Sequence, residues 1–145
     1  MTTAKTFKIH VPCNPPKTTA QQQKTAFRNG FVTKYDPKSL KDAKEYLTKL
    51  FMPYSPRRSK IFKGAIKVDI LWAYPFRKSE TKKRREMEII PCDTRPDADN
   101  ILKGFLDILT KLHYWEDDAQ ISELHFRKVW SVIPGITLDI KQDIK

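Results

Sequence analysis

The chain has 145 residues, enough for one domain by the usual prior of about 100–200 residues per domain. Hydrophobic residues at 39% and aromatics at 11% exclude a disordered chain despite 31% charged residues. The net charge of +11 is unevenly placed, with 21 bases and 7 acids in residues 1–90 but 7 bases and 10 acids in residues 91–145.

Phe7, Ile9 and Val11 alternate with Lys8 and His10, which predicts a first strand closed by Pro12 and the Pro15-Pro16 pair. Residues 17–34 are polar and Gln-rich, with Lys24, Arg28 and Lys34 along them, and read as a loop or weakly ordered arm. Asp36 is an expected N-cap, with Pro37 in the first helical turn. Leu40, Ala43, Leu47, Leu50 and Phe51 follow at helical spacing, so an amphipathic helix is predicted over 37–51, ending before Pro53. Residues 53–64 contain Arg57, Arg58, Lys60 and Lys63 and form a basic connection.

Ile66, Val68, Ile70, Trp72 and Tyr74 alternate with Lys67 and Asp69, giving the clearest strand. Residues 77–85 hold six bases (Arg77, Lys78, Lys82, Lys83, Arg84 and Arg85) and one acid. Such a run is usually solvated and mobile. Asp99 or Asn100 opens the next helix, whose Ile101, Leu102, Phe105, Leu106, Ile108, Leu109 and Leu112 make a broad apolar face to press onto a sheet. Trp115 to Gln120 form an acidic turn. Leu124, Phe126, Trp130 and Val132 indicate a strand, Pro134-Gly135 a turn, and Ile136, Leu138 and Ile140 a returning strand. The order β-α-β-α-β-β predicts a single α+β (α/β) domain over 1–145, a small mixed sheet of about four strands with helices packed on one face.

No apolar run reaches the roughly 18–20 residues of a membrane span, and the first residues lack the apolar core of a secretion signal. A soluble, cytoplasmic protein with no membrane partner is expected. Cys13 and Cys92 fit no zinc spacing with His10, His113 or His125 and read as ordinary, semi-buried thiols. A charge of +11 exceeds the roughly 2–8 typical of a small domain. A basic body with one acidic segment points to nucleic acid held by the first and a cation by the second.

Chemistry concentrates in residues 95–118. Asp97 and Asp99 lie two residues apart just before a helix and would share a face of an extended segment. Glu116-Asp117-Asp118 follow the helix. Clustered carboxylates repel unless a cation sits among them. Mg²⁺ prefers oxygen ligands and takes few protein carboxylates, leaving room for water and phosphate. Lys103 lies one turn from both Asp99 and Asp107, placed to contact a phosphate. Each residue also has a plain reading: Asp97 or Asp99 as an N-cap, Lys103–Asp107 as a helix pair, Asp117-Asp118 as a turn. A metal-dependent phosphodiesterase and a non-catalytic nucleic-acid-binding protein both remain open on the residues alone.

Arg95-Pro96-Asp97-Ala98-Asp99-Asn100-Ile101-Leu102-Lys103, then Asp107, then Trp115-Glu116-Asp117-Asp118-Ala119-Gln120-Ile121, with Lys128 following, closely resembles the RusA family of Holliday junction resolvases. That family's pattern reads Arg-Pro-Asp-x-Asp-Asn-Leu-x-Lys, an Asp four residues on, and a later Asp-Asp-x-Gln-Ile. The resemblance implies a small homodimeric endonuclease that resolves four-way DNA junctions by paired, symmetric nicks in recombination and repair. It also implies Mg²⁺, with Mn²⁺ as an alternative, held by aspartates. Position by position, Asp97, Asp99 and Asp118 match the metal-binding catalytic aspartates, and Lys103 matches the active-site lysine. Asp117 and Asn100 match supporting residues, Asn100 being expected to orient the carboxylates.

The family's usual glycine before the Trp is absent here, where the chain reads Lys111-Leu112-His113-Tyr114-Trp115. That departure bears on the geometry of the turn rather than on the chemistry. Junction arms are expected on Arg77, Lys78, Lys82, Lys83, Arg84, Arg85 and Arg95, with Lys17, Lys24 and Arg28 second. Tyr54, Trp72 and Phe76 are candidates for the dimer surface. The alternative enzyme is a less selective branched-DNA nuclease, and the resemblance points to a phage or prophage origin.

Overall fold

The computed structural model describes residues 5–17, 24–28, 30–35, 38–56 and 62–143. Strand β1 (Thr6–Val11) is followed by β2 (Lys24–Arg28), β3 (Phe31–Tyr35), helix α1 (Lys38–Phe51) and β4 (Ile66–Pro75). A one-turn helix α2 (Lys82–Arg85), β5 (Ile89–Pro91), α3 (Ala98–Lys111), β6 (Ile121–Ser131) and β7 (Gly135–Gln142) complete the chain.

Five strands form the main sheet in the order β1-β7-β4-β6-β5, one more than the sequence predicts. β4 and β6 run parallel, and the other neighbouring pairs are antiparallel. Parallel neighbours need a long crossover, and the segment carrying α2, β5 and α3 supplies it. That crossover brings the acidic segment beside the sheet.

The core follows the predicted periodicities. Ile66, Val68, Ile70, Trp72 and Tyr74 of β4 are buried, while Lys67 and Asp69 are exposed. Helix α1 buries Leu40, Ala43, Leu47 and Phe51, and α3 buries Ile101, Phe105, Ile108 and Leu109. The Phe105 ring meets Phe51 edge-on at 5.0 Å and Trp72 at 5.3 Å, so both helices and β4 share one core. Fully burying a ring of this size stabilises by about 1.5–3 kcal/mol. Trp72 is therefore core, Phe76 is half-buried against it, and only Tyr54 of the three dimer-surface candidates is exposed.

The expected loop over 17–34 is corrected in part. Residues 24–28 and 31–35 pair as an antiparallel ribbon, separate from the main sheet. Asn-Gly at 29–30 is a strong hairpin signal, and Gly30 has the positive φ (+79°) such turns require. Asp36, Pro37, Arg57, Arg58 and Lys60 lie outside the described residues.

The basic run over 77–85 is not a featureless mobile loop either. Thr81 caps α2 by accepting from the Arg84 amide, and Arg77 and Arg84 close on Glu80 at 3.4 and 2.6 Å. Both cysteines are free, Cys92 buried and Cys13 half-buried, with burial pushing the Cys13 thiol up to about 11. No helix among the described residues is long and apolar enough to cross a membrane.

Candidate active site

Asp97 occupies the N-cap position of α3, with extended backbone, but its side chain makes no capping hydrogen bond. The plain reading of Asp97 as a cap therefore does not account for its carboxylate. The loop before it is held from β6. Lys128, opposite Trp72 in the β4–β6 register, donates from Nζ to the carbonyl of Pro96 at 2.7 Å and to that of Thr94. The Cys92 amide donates to the Lys128 carbonyl at 2.9 Å, so the approach to Asp97 is tied to the sheet on both sides of that residue.

At the far end of α3 the chain turns through a full C-terminal motif. The His113 amide donates to the Thr110 carbonyl and the Tyr114 amide to that of Leu109, both at 3.1 Å. His113 takes φ +64°, the left-handed conformation that glycine adopts without strain. The missing glycine thus leaves the turn intact. His113→Gly is expected to raise stability by up to about 1 kcal/mol, read as a higher melting temperature. Tyr114 and Trp115 are then buried, with the Tyr114 hydroxyl donating to the Phe51 carbonyl at 2.6 Å and Trp115 Nε1 to Thr110 Oγ1 at 2.8 Å.

The acidic turn divides its carboxylates between two tasks. Asp117 accepts from the Ala119 amide at 2.9 Å, while Gln120 Oε1 accepts from the amides of Glu116 and Asp117, closing a capping box. Gln120 Nε2 donates to the carbonyls of Phe62 and Gly64 at 3.1 and 2.9 Å, stitching the turn to the start of β4. Asp117 is thus a turn residue, as its plain reading holds. Asp118 is exposed, and its side chain engages no partner among the described residues. Gln120 and Lys128 carry positioning duties that pattern alone did not assign, although both stand in the motif.

Asp99, Lys103 and Asp107 form one stripe of α3 and line a groove with Leu102, Leu106, Asp118 and Lys44 of α1. Asp107 pairs with Lys111 at 3.1 Å, not with Lys103. Among the described residues, no hydrogen bond or ion pair engages the side chains of Asp97, Asp99 or Lys103, and all three are exposed. Asn100 is buried against a small cavity between α1, α3 and β4, and its Nδ2 has no partner. No hydrogen bond among the described residues joins Asn100 to the carboxylates it was expected to orient.

Asp97 and Asp99 stand at the start of α3, whereas Asp118 follows its end, and a 14-residue helix is about 20 Å long. Among the described residues, no three His, Cys, Asp or Glu side chains are grouped so as to hold one ion.

The basic residues also separate by role. Burial alone would raise the Glu80 carboxyl, but hydrogen bonds from Arg84 and Arg77 hold it below its ordinary value. Arg77 also lies over the Trp130 ring at 4.9 Å, as Lys17 does at 5.4 Å. Arg85 donates to the carbonyls of Arg77, Lys78 and Glu80. These arginines build the segment. Lys78, Lys82, Lys83 and Arg95 are exposed, with side chains engaging no partner among the described residues.

A family model described as endodeoxyribonuclease RusA matches residues 13–141. YqaN of Bacillus subtilis (strain 168) is 30% identical over 122 residues, covering 81% of this chain and 84% of that protein. A crossover junction endodeoxyribonuclease rusA of Lactococcus phage r1t is 50% identical over 36 residues, 25% of this chain and 28% of that one.

Proposed function

The chain belongs to the RusA family of endodeoxyribonucleases, and from that premise we propose a metal-dependent homodimer that nicks four-way DNA junctions in symmetric pairs. The observation that carries the proposal is that Asp97, Asp99, Lys103 and Asp118 are exposed and engage no partner among the described residues, while Asp117 beside Asp118 is spent on a cap. A solvated surface has no need of such a division.

Carboxylate oxygens are hard donors, and Mg²⁺ is commonly held by one or two carboxylates with water and phosphate completing the shell. Asp97 and Asp99, within one turn of α3, fit that demand, and Mn²⁺ takes the same donors. When bound, such an ion activates water and stabilises charge on the transferring phosphate. Lys103, one turn further along the groove, holds a phosphate oxygen and offsets its charge.

The separation of Asp118 from Asp97 and Asp99 within one chain gives the dimer a chemical purpose. A second copy laid antiparallel along the groove would bring its acidic turn beside Asp97 and Asp99. Two-fold symmetry then makes two equal centres, as paired nicks on a junction require.

Lys128 acts on Asp97 through the loop it holds. Lys128→Met leaves the carbonyls of Thr94 and Pro96 without their donor. Cleavage is expected to fall about tenfold with DNA affinity unchanged, and Lys128→Arg to recover part of the rate.

Lys78, Lys82 and Lys83 take phosphates of the arms. Changing all three to Gln should flatten the dependence of log affinity on log salt by about 2–3, at about 0.9 per phosphate contact, and leave cleavage of saturated substrate intact.

The deciding experiment offers the protein a labelled four-way junction and a matching duplex, with and without Mg²⁺. Paired, symmetric, Mg²⁺-dependent nicks on the junction alone are expected. Equal cutting of both substrates would mean a less selective branched-DNA nuclease. Tight binding with no cutting under either Mg²⁺ or Mn²⁺ would leave a non-catalytic DNA-binding protein.

A further inference from the structure

The β2–β3 ribbon takes no part in the chemistry above and pairs with no strand of the five-stranded sheet. Its outer end carries Phe27, Phe31 and Val32, which are 74%, 72% and 66% exposed. Phe27 and Val32 are direct cross-strand partners and share one face of the ribbon. Phe31 is adjacent to Val32, and successive strand residues face opposite ways, so Phe31 stands on the other face. The tip thus carries an exposed apolar side chain on each side, Phe31 standing opposite Arg28 in the register. Packing against its own domain, or against a flat partner, would cover only one of them. A partner that presents two walls covers both.

Charge narrows the partner further. Residues 24–35 contain Lys24, Arg28 and Lys34 and no acid. A second copy carries the same net charge of +11 and repels such a ribbon overall. DNA attracts it through its phosphates and offers flat apolar surfaces in its bases. In intact duplex those base faces are closed by stacking, and they open most readily where strands exchange partners. Aromatic side chains stack on open bases with little regard to sequence. Apolar wedges driven between base steps hold them apart.

We propose that the β2–β3 ribbon is a branch-point probe, which inserts Phe27 and Phe31 between bases at the centre of branched DNA. It reads the structure of the DNA rather than its sequence. The proposal rests on the junction-nuclease reading above and adds the element that distinguishes a branch from a duplex.

The test uses a junction carrying 2-aminopurine beside the branch point, whose fluorescence rises when the base leaves its stack. Protein bearing Asp97→Asn, expected to bind without cutting, should raise the signal. The same protein with Phe27→Ala and Phe31→Ala should lose that rise, together with about tenfold to a hundredfold of its junction-over-duplex preference. Its duplex affinity should stay within about twofold. Phe27→Tyr with Phe31→Tyr keeps both rings and should keep both the signal and the preference.

Unchanged fluorescence and preference in the alanine variant would overturn the probe while leaving junction cleavage by the parent standing. A fall from dimer to monomer in sedimentation would overturn it in favour of an interface between copies. If the parent neither prefers nor cuts junctions, the function proposed above fails first and the probe with it.

Discussion

Replacing Asp97 or Asp118 by asparagine is expected to lower cleavage to below about a hundredth of the parent rate, with junction binding as tight or tighter. Asparagine keeps the shape of the side chain and removes the charge. With divalent metal withheld, a lost negative charge beside DNA cannot weaken its attraction to phosphates, so binding is compared without Mg²⁺. Stability should not confuse the result, because the Asp97 side chain makes no cap bond and that of Asp118 has no partner among the described residues. Losing a working N-cap typically costs about 0.5–2 kcal/mol, and none of that is at stake here. Asp117→Asn is the matched control. Asparagine caps as well as aspartate, so the capping box survives and cleavage should hold near the parent rate. Single-turnover cleavage of a labelled junction, with melting curves for each variant, reads the set. Equal rates for the parent and Asp97→Asn would sink the carboxylate site.

The second expectation separates a centre made within one chain from one made between two. Asp97→Asn and Asp118→Asn proteins, each inactive alone, should regain cleavage when mixed and allowed to exchange subunits. In a mixed dimer with shared centres, one centre collects both substitutions and the other collects neither. Random exchange puts about half of the chains' pairs into mixed dimers, each with one intact centre of two. Nicking should therefore return to about a quarter of the parent rate, and as single nicks rather than paired ones. If each chain built its own centre, every centre in the mixture would carry one substitution and no activity would return. The result discriminates because Asp97 and Asp118 flank opposite ends of α3. A mixture of Asp97→Asn with Asp99→Asn supplies the control, since both residues open the same helix and the shared arrangement places them in one centre. That mixture should stay inactive.

Periodicity made much of the fold legible. The alternation from Ile66 to Tyr74 names both the central strand and its buried face, and the helical spacing of Leu40 to Phe51 and Ile101 to Leu109 names the two helices that cover it. The β2–β3 ribbon escaped because its alternation is weak between polar residues. β5 and α2, of three and four residues, are shorter than any period that could reveal them. They form because β6 offers an edge to Ile89–Pro91, and because Glu80 draws Arg77 and Arg84 around it.

The candidate site divides along the same line. Residue type and spacing marked the acids of 97–118 and Lys103 as candidates, each with a plain alternative, and the resemblance to the RusA family singled out Asp97, Asp99, Lys103 and Asp118. Which carboxylate is spent and which is free was not there to read. Asp117 and Asp118 are exposed neighbours of the same chemistry, yet the capping box engages the first and the second has no partner among the described residues. Asn100 looked like a partner for the acids and lies buried instead. Lys128 reaches the loop before Asp97 across 32 positions, and Gln120 reaches the Phe62 carbonyl across 58.

By itself, the sequence determined the chemistry available, the charge that selects a polyanion, and the elements whose period matches their geometry. Only the tertiary structure decided which groups are committed, spending Asp117 on a cap while Asp118, next to it, engages no partner among the described residues. Local pattern reports what a residue does within a turn or two, whereas hydrogen bonds and burial are settled by whatever the fold brings alongside.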